Sequence, residues 1–492
     1  MPPRRIPLVV ALNAATAKSN LVLLLILAAA VAGVHGFRGR GAESRKLLLS
    51  ATGGSARTAS APAEGEAITV TADPTPLDAS AEADAFMTHS PQDFSAEAVH
   101  AGAVAGGNAP ALQLIIAEEG RAAGAVCLDG SAPGFYYRKG YGSGSRNWVL
   151  FFEGGAWCAS PHGCHHRSTT NLGSSKHLLP AREMESEQAG MRGMLSPDPS
   201  INPDFHNWNA VFLPYCDGGS FSGDLEEPIH FNGVPLYLRG RRVADVLLKH
   251  LMDRLGLHTA NRVLVAGTSA GAVAALLHCD RIRSTLEAVS PSISVRCLAD
   301  SSMFLDVPDS HNKRQIPDFF RHVYSMHNLT ASLPRACLKE RSPEKHYECF
   351  MPEHLLDFIA TPLFLINSNY DKVALRAIES PEVLDMGGTK HTDCLDHPEK
   401  CSKTKFKHLD AYRRAVATAV APLHADSSPT NAVFLFSCFQ HGSIHIDFPW
   451  KIRTAKGVPM HEAVGRWIHP GSHEKVHLIE GSYPCNSCHM EL

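Results

Sequence analysis

Apolar positions come in blocks along this chain. Five short stretches are apolar without interruption: 148–152, 210–213, 263–266, 362–366 and 432–436. Unbroken apolarity over four or five residues, rather than in–out alternation, is the pattern of parallel strands covered on both faces. Between the second and third stretches, Val243, Val246, Leu247 and Leu251 recur at helical spacing with Arg, Lys and Asp between them. That spacing predicts an amphipathic helix over 242–255, and Gly256 supplies its stop. Strand, helix, strand in this order predicts a right-handed crossover and an open α/β sheet, mostly parallel and flanked by helices. No internal repeat is visible.

The pattern is different before residue 111. Arg4, Arg5 and Lys18 precede an apolar stretch over 21–34, with small residues at 32–36. Fourteen apolar residues suit a signal-peptide core and fall short of the roughly 20 that span a bilayer. Residues 1–36 are therefore expected to be a signal peptide, with an uncleaved signal anchor as the alternative. Residues 37–110 are rich in Ala, Ser, Gly, Thr and Pro and poor in large apolar residues. Such a stretch buries too little surface to offset its conformational entropy, which predicts a disordered stem. Residues 111–492 are expected to form one catalytic domain. It is expected to be secreted or in the lumen of the secretory pathway, the alternative being a type II membrane anchor.

Composition narrows the function classes. Lys and Arg number 46 against 49 Asp and Glu, a formal charge of −3, with no block of like charge. That excludes an electrostatic nucleic-acid binder. A mean hydropathy of −0.10 excludes a polytopic membrane protein. The 13 cysteines lie between Cys127 and Cys488, several close together: Cys158 and Cys164, Cys337 and Cys349, Cys394 and Cys401, Cys485 and Cys488. No repeated CxxC with zinc-type His spacing occurs, so disulfides in an oxidising compartment are expected rather than a metal site. The odd count leaves at least one thiol unpaired within the chain.

The sharpest chemical signal is Gly267-Thr-Ser269-Ala270-Gly271, between an apolar stretch and an Ala/Leu-rich helical one. Gly-x-Ser-x-Gly in that context is a tight strand-to-helix turn that presents a nucleophilic serine ahead of a helix N-terminus. One oxyanion donor is then the N–H of Ala270. The other is expected from Glu153-Gly154-Gly155-Ala156-Trp157-Cys158, just after the first stretch. A base and an orienting acid are also needed. Loops at the carboxyl ends of strands carry ligands in open α/β sheets. Asp371 and His441 each follow an apolar stretch, in the chain order Ser, Asp, His of an α/β-hydrolase. His445, Asp447 and Asp385 remain competitors on position alone.

These residues carry a resemblance. Cys127-Leu-Asp-Gly-Ser, Glu153-Gly-Gly-Ala-Trp-Cys158, Asn202-Pro-Asp-Phe-His-Asn-Trp-Asn209, Tyr215-Cys-Asp-Gly-Gly-Ser, Gly267-Thr-Ser-Ala-Gly271, Asn367-Ser-Asn-Tyr-Asp371, Ser437-Cys-Phe-Gln-His441 and Tyr483-Pro-Cys-Asn-Ser-Cys488 resemble, in order, blocks of the pectin acetylesterase family, which includes the animal carboxylesterase Notum. The resemblance implies an α/β-hydrolase-like, disulfide-stabilised fold. It implies Ser269 as nucleophile, Asp371 as orienter, His441 as base, and oxyanion donors at Gly155, Ala156 and Ala270. No metal or organic cofactor is implied. The expected activity is removal of O-acetyl groups from polysaccharide by a monomeric serine esterase. One alternative is a Notum-like esterase removing a fatty acyl group from a protein, and a second is an inactive glycan-binding pseudoenzyme. The chain departs from the family at Ala156, a glycine in plant members; at Gly442, usually cysteine; and at Thr268, also usually cysteine. The loss at Gly442 is expected to account for the odd cysteine and puts in doubt any disulfide bracing the His loop. Asn328-Leu-Thr330 is an N-glycosylation acceptor.

Overall fold

The computed structural model describes residues 109–186, 190–386, 393–424, 430–469, 475–484 and 488. The expected leader (1–36) and, apart from residues 109 and 110, the expected stem (37–110) lie outside the described residues. No helix among the described residues is long and apolar enough to cross a membrane.

A nine-stranded sheet organises the described residues. Its strands are β1 (Gln113–Ile116), β2 (Gly134–Arg138), β3 (Asn147–Phe152), β4 (Asn209–Leu213), β5 (Arg262–Thr268), β6 (Ser294–Asp300), β7 (Leu363–Ser368), β8 (Ala432–Phe436) and β9 (His477–Ile479). Their spatial order is β1-β2-β4-β3-β5-β6-β7-β8-β9. The pairs β1–β2 and β2–β4 are antiparallel, and every later pair is parallel. This is the mostly parallel, helix-flanked α/β sheet that the apolar blocks predict.

The unbroken apolarity has a physical cause. Trp148, Leu150, Val263, Val265, Leu365, Val433 and Leu435 enter the core on one face of the sheet. Val149, Phe151, Leu264, Ala266, Phe364, Ile366, Phe434 and Phe436 enter the core on the other. Each buried Val, Leu, Ile or Phe contributes about 1.5–3 kcal/mol, so continuous apolarity is favoured on both faces of these strands. The helix predicted over 242–255 is α1 (Gly240–Leu255), and Gly256 ends it at φ +84°, its N–H donating to the Leu251 carbonyl. Strand β6 escapes the apolar reading because Arg296 interrupts it. The Arg296 guanidinium lies 5.0 Å from the Trp467 ring centroid and donates to the Trp467 carbonyl, which accommodates the charge on the sheet.

Six disulfides join Cys127–Cys216, Cys158–Cys164, Cys279–Cys297, Cys337–Cys349, Cys394–Cys401 and Cys438–Cys488. They use every cysteine except Cys485, which lies outside the described residues. One expectation changes: the His loop is braced by a disulfide, through Cys438, three residues before His441. Asn328 caps the helix Gln315–His327 in the left-handed region, on the surface, with its amide donating to the Asp224 carbonyl at 3.1 Å.

Candidate active site

Five neighbouring strands end at one rim of the sheet. Glu153–Cys158 follows β3, Ser269 follows β5, Asp300 ends β6, Asp371 lies beyond β7 and His441 beyond β8. Three non-glycine residues at this rim sit in the left-handed region: Ala156 (φ +55°), Ser269 (φ +59°) and Ser301 (φ +57°). Such conformations cost of order 1–3 kcal/mol each and persist only where the surroundings enforce them.

The elbow shows that enforcement. Ser269 turns β5 into the helix α2 (Ala270–Val289). A Cβ at Gly267 would lie 2.2 Å from the Gly271 carbonyl oxygen, and one at Gly271 would lie 2.1 Å from that of Phe152. Gly154 is equally constrained: a Cβ there would meet the Thr268 oxygen at 2.6 Å and Ser269 Cβ at 3.0 Å. Only glycines let the β3 loop and the elbow touch.

The β3 loop is turned so that its amides are free. The Gly155 carbonyl accepts from the buried Arg167 guanidinium, and the Ala156 carbonyl accepts from Tyr215 Oη at 2.8 Å. In a trans peptide the N–H points opposite to the C=O, so the Ala156 N–H faces away from Arg167. The N–H groups of Gly155 and Ala156 have no partner among the described residues. Ala270, the first residue of α2, has an N–H left over by helix geometry. Ser220 fastens the two halves together. Its Oγ accepts from Trp157 Nε1 at 2.7 Å and donates to the Ala270 carbonyl at 2.8 Å. Burial raises the Glu153 carboxyl to about 7, and its Oε2 accepts from the Tyr215 N–H at 2.7 Å. The roles of Tyr215, Ser220 and Arg167 escaped the sequence reading, because a hydrogen bond that aims a carbonyl leaves no local pattern.

Asp371 and His441 meet directly. Both carboxylate oxygens lie 2.8 Å from His441 Nδ1. Asp371 is also the N-cap of the helix α3 (Lys372–Glu379), and its Oδ1 accepts from the N–H groups of Val373 and Ala374 at 3.0 Å. The helix end and the histidine therefore hold this side chain from two sides. Burial disfavours the His441 imidazolium. The Asp371 charge and hydrogen bond, with the Asp300 charge behind them, outweigh burial and raise the His441 pKa above the usual 6.5.

Ser269 Oγ and His441 Nε2 each lack a hydrogen bond among the described residues, yet their neighbours touch. A Cβ at Gly442 would lie 3.3 Å from Thr268 Cγ2. The departures at Thr268 and Gly442 thus fall at facing positions. Catalytic hydrogen bonds are often long before substrate binds and tighten in the complex.

The positional competitors are otherwise engaged. His445 Nδ1 lies 3.3 Å from Thr268 Oγ1, and burial followed by the His441 charge lowers its pKa to about 4. Asp447 accepts from the Gly193 N–H at 2.6 Å and pairs with Arg192. Asp385 accepts from the Ala159 N–H at 2.8 Å and Ser160 Oγ at 2.6 Å.

Beside His441 the wall is aromatic and close-packed. The Phe304 ring lies 6.1 Å from the His441 ring, and Trp157 lies 4.9 Å from Phe304 and 5.0 Å from Phe320, all three fully buried. A pocket of about 140 Å³ lies elsewhere, lined by Val307, Arg376, Val383, Lys405 and Leu409. Its cations are already paired, Arg376 with Asp396 and Lys405 with Glu379. Cys158, Cys164 and His327 also cluster, but the two cysteines are joined as a disulfide.

Comparison with known proteins gives the family of the chain. Residues 107–489 match the family model of the pectinacetylesterases. The chain is 36% identical to pectin acetylesterase 11 of Arabidopsis thaliana over 365 residues, 73% of this chain and 88% of that protein. It is 32% identical to pectin acetylesterase 5 of the same plant over 382 residues, 77% of this chain and 85% of that protein. The human palmitoleoyl-protein carboxylesterase NOTUM is 30% identical over 266 residues, covering 51% of this chain and 49% of that protein.

Proposed function

This chain belongs to the pectinacetylesterase family, and from that premise we propose that it is a serine carboxylic-ester hydrolase removing O-acetyl groups from polysaccharide. The supporting observation is the buried Asp371–His441 pair beside a strained Ser269, with the unpartnered amides of Gly155, Ala156 and Ala270 at the same rim.

In the proposed mechanism, substrate closes the space between Ser269 Oγ and His441 Nε2. Oγ bonds the ester carbonyl carbon as Nε2 takes its proton. The amides bind the oxyanion, and Asp371 stabilises the imidazolium without taking its proton. The C–O bond to the sugar breaks, and the sugar oxygen leaves with the proton from Nε2. Water then attacks the acyl-Ser269 ester, giving its proton to His441. Acetate leaves, and Ser269 Oγ recovers the proton. The Trp157–Phe304–Phe320 wall favours a short acyl group, since a fatty chain would have to displace close-packed rings.

The domain acts as a monomer in the secretory lumen or outside the cell, with residues 1–36 as its targeting segment. The six disulfides support an oxidising compartment. N-terminal sequencing of the mature protein tests the leader, with a new terminus expected near residues 32–36.

Fluorophosphonate labelling and acetate release test the chemistry. Wild type is expected to label at Ser269 and to release acetate from acetylated polysaccharide. Ser269→Ala is expected to lose both by several orders of magnitude while remaining folded. Octanoyl esters turned over faster than acetyl esters would favour the protein-deacylating alternative. An unlabelled, inactive wild type would favour a binding protein.

A further inference from the structure

We propose that Asp300 is a positioning residue for this hydrolysis, clamping the loop that carries His441 onto the nucleophile elbow and facing the imidazole with a second negative charge. The proposal rests on the Ser269–Asp371–His441 reading.

Asp300 ends β6, in register with Thr268 of β5. Its main-chain oxygen accepts from the Ser269 N–H at 2.9 Å, which fixes the elbow. Its Oδ2 accepts from the N–H groups of Ser443 at 2.7 Å and Ile444 at 3.1 Å, and from Thr268 Oγ1 at 3.2 Å. Its Oδ1 accepts from Ser301 Oγ at 3.0 Å, and Ser301 Oγ accepts in turn from the Gly442 N–H at 2.9 Å. The three N–H groups that follow His441 are therefore all held by two consecutive residues of one strand end.

No disulfide among the described residues joins elbow to loop. Cys438–Cys488 ties the start of the loop to the C-terminal segment instead. The clamp is thus a polar link between elbow and His loop, beside the Thr268 Oγ1–His445 Nδ1 contact at 3.3 Å, and the left-handed Ser301 is the strain it sustains.

Asp300 is fully buried. Burial raises the Asp300 carboxyl above its usual range, while the N–H groups of Ser443 and Ile444, which can only donate, the Ser301 hydroxyl and the His441 charge pull the other way and favour the carboxylate. The charged or titratable groups facing His441 are Asp371 at Nδ1, Asp300 from β6, Arg376 from α3, and His445 from its own loop. The two carboxylates favour the imidazolium, while burial and Arg376 oppose it.

The test is the pH–rate profile of the full chain on an acetyl ester. Asp300→Asn keeps the size and an acceptor oxygen but removes the charge. It is expected to lower kcat about tenfold with KM nearly unchanged, and to move the acid limb to lower pH. An acid limb at the wild-type pH would overturn the proposal, because a merely structural residue would not move it. Ser301→Ala removes only the acceptor for Gly442 and leaves all charges in place. It is expected to lower kcat several-fold with the limb unmoved; wild-type kcat in this variant would also overturn the clamp, even if Asp300→Asn fails to fold. Ser269→Ala in the same assay separates the two readings: activity surviving there would remove the triad itself, whereas its loss beside an unmoved Asp300→Asn limb would remove only the clamp.

Discussion

As the proposed base, His441 is expected to set the pH response. Its pKa is raised above 6.5 by Asp371 and Asp300 against the effect of burial, and the proposed base must be neutral. Activity is therefore expected to rise with pH through an inflection above about 6.5. An acid limb of kcat/KM centred well below that value would exclude His441 as the base. Stability runs the other way. A histidine with a raised folded pKa contributes fully below its unfolded pKa, and the contribution is lost as pH rises through the folded value. Asp371→Asn is expected to lower kcat by about 10⁴ with little change in fold, because the amide holds the wrong imidazole tautomer. Ser269, Asp371 and His441 were all legible as candidates from motif and position, but position alone could not rank His441 above His445. The family resemblance of the block ending at His441 ranked it, and the structure supplies the physical counterpart, a contact between residues 70 positions apart.

At the level of elements, the elbow depends on how closely β3, β5 and α2 approach. Gly271→Ala would place a carbon about 2.1 Å from the Phe152 oxygen, so it is expected to cost more than about 3 kcal/mol and to abolish turnover. Thermal melting and ester assays read both. In β5, Leu264→Ala removes a fully buried side chain and is expected to cost about 2–5 kcal/mol while leaving the site chemistry in place. The five apolar stretches and α1 were readable because burial on both faces demands continuous apolarity. Strand β6 was not, since Arg296 breaks the pattern and is accommodated only by Trp467 from a distant helix. Asp300 and Ser301 were missed with it: their importance depends on which strands become neighbours.

Across the whole molecule, covalent ties supplement the core. Cys127–Cys216 closes a separation of 89 residues and Cys394–Cys401 one of 7. Replacing the first pair by serines is expected to cost about 4 kcal/mol and the second about 2 kcal/mol, because the longer loop releases more chain entropy. Denaturant melts of the two double variants check that order. Period and composition along the chain determined the sheet class, the helix α1, the disulfide-rich character and the serine elbow, because these follow from burial, turn geometry and residue chemistry within a few neighbours. Only the tertiary structure decided which carbonyls are tied back so that amides stand free, and which buried carboxylate spans the elbow and the His441 loop. Those relations hold between groups tens to hundreds of residues apart, and they come into being only when parallel strands bring their carboxyl ends to one rim.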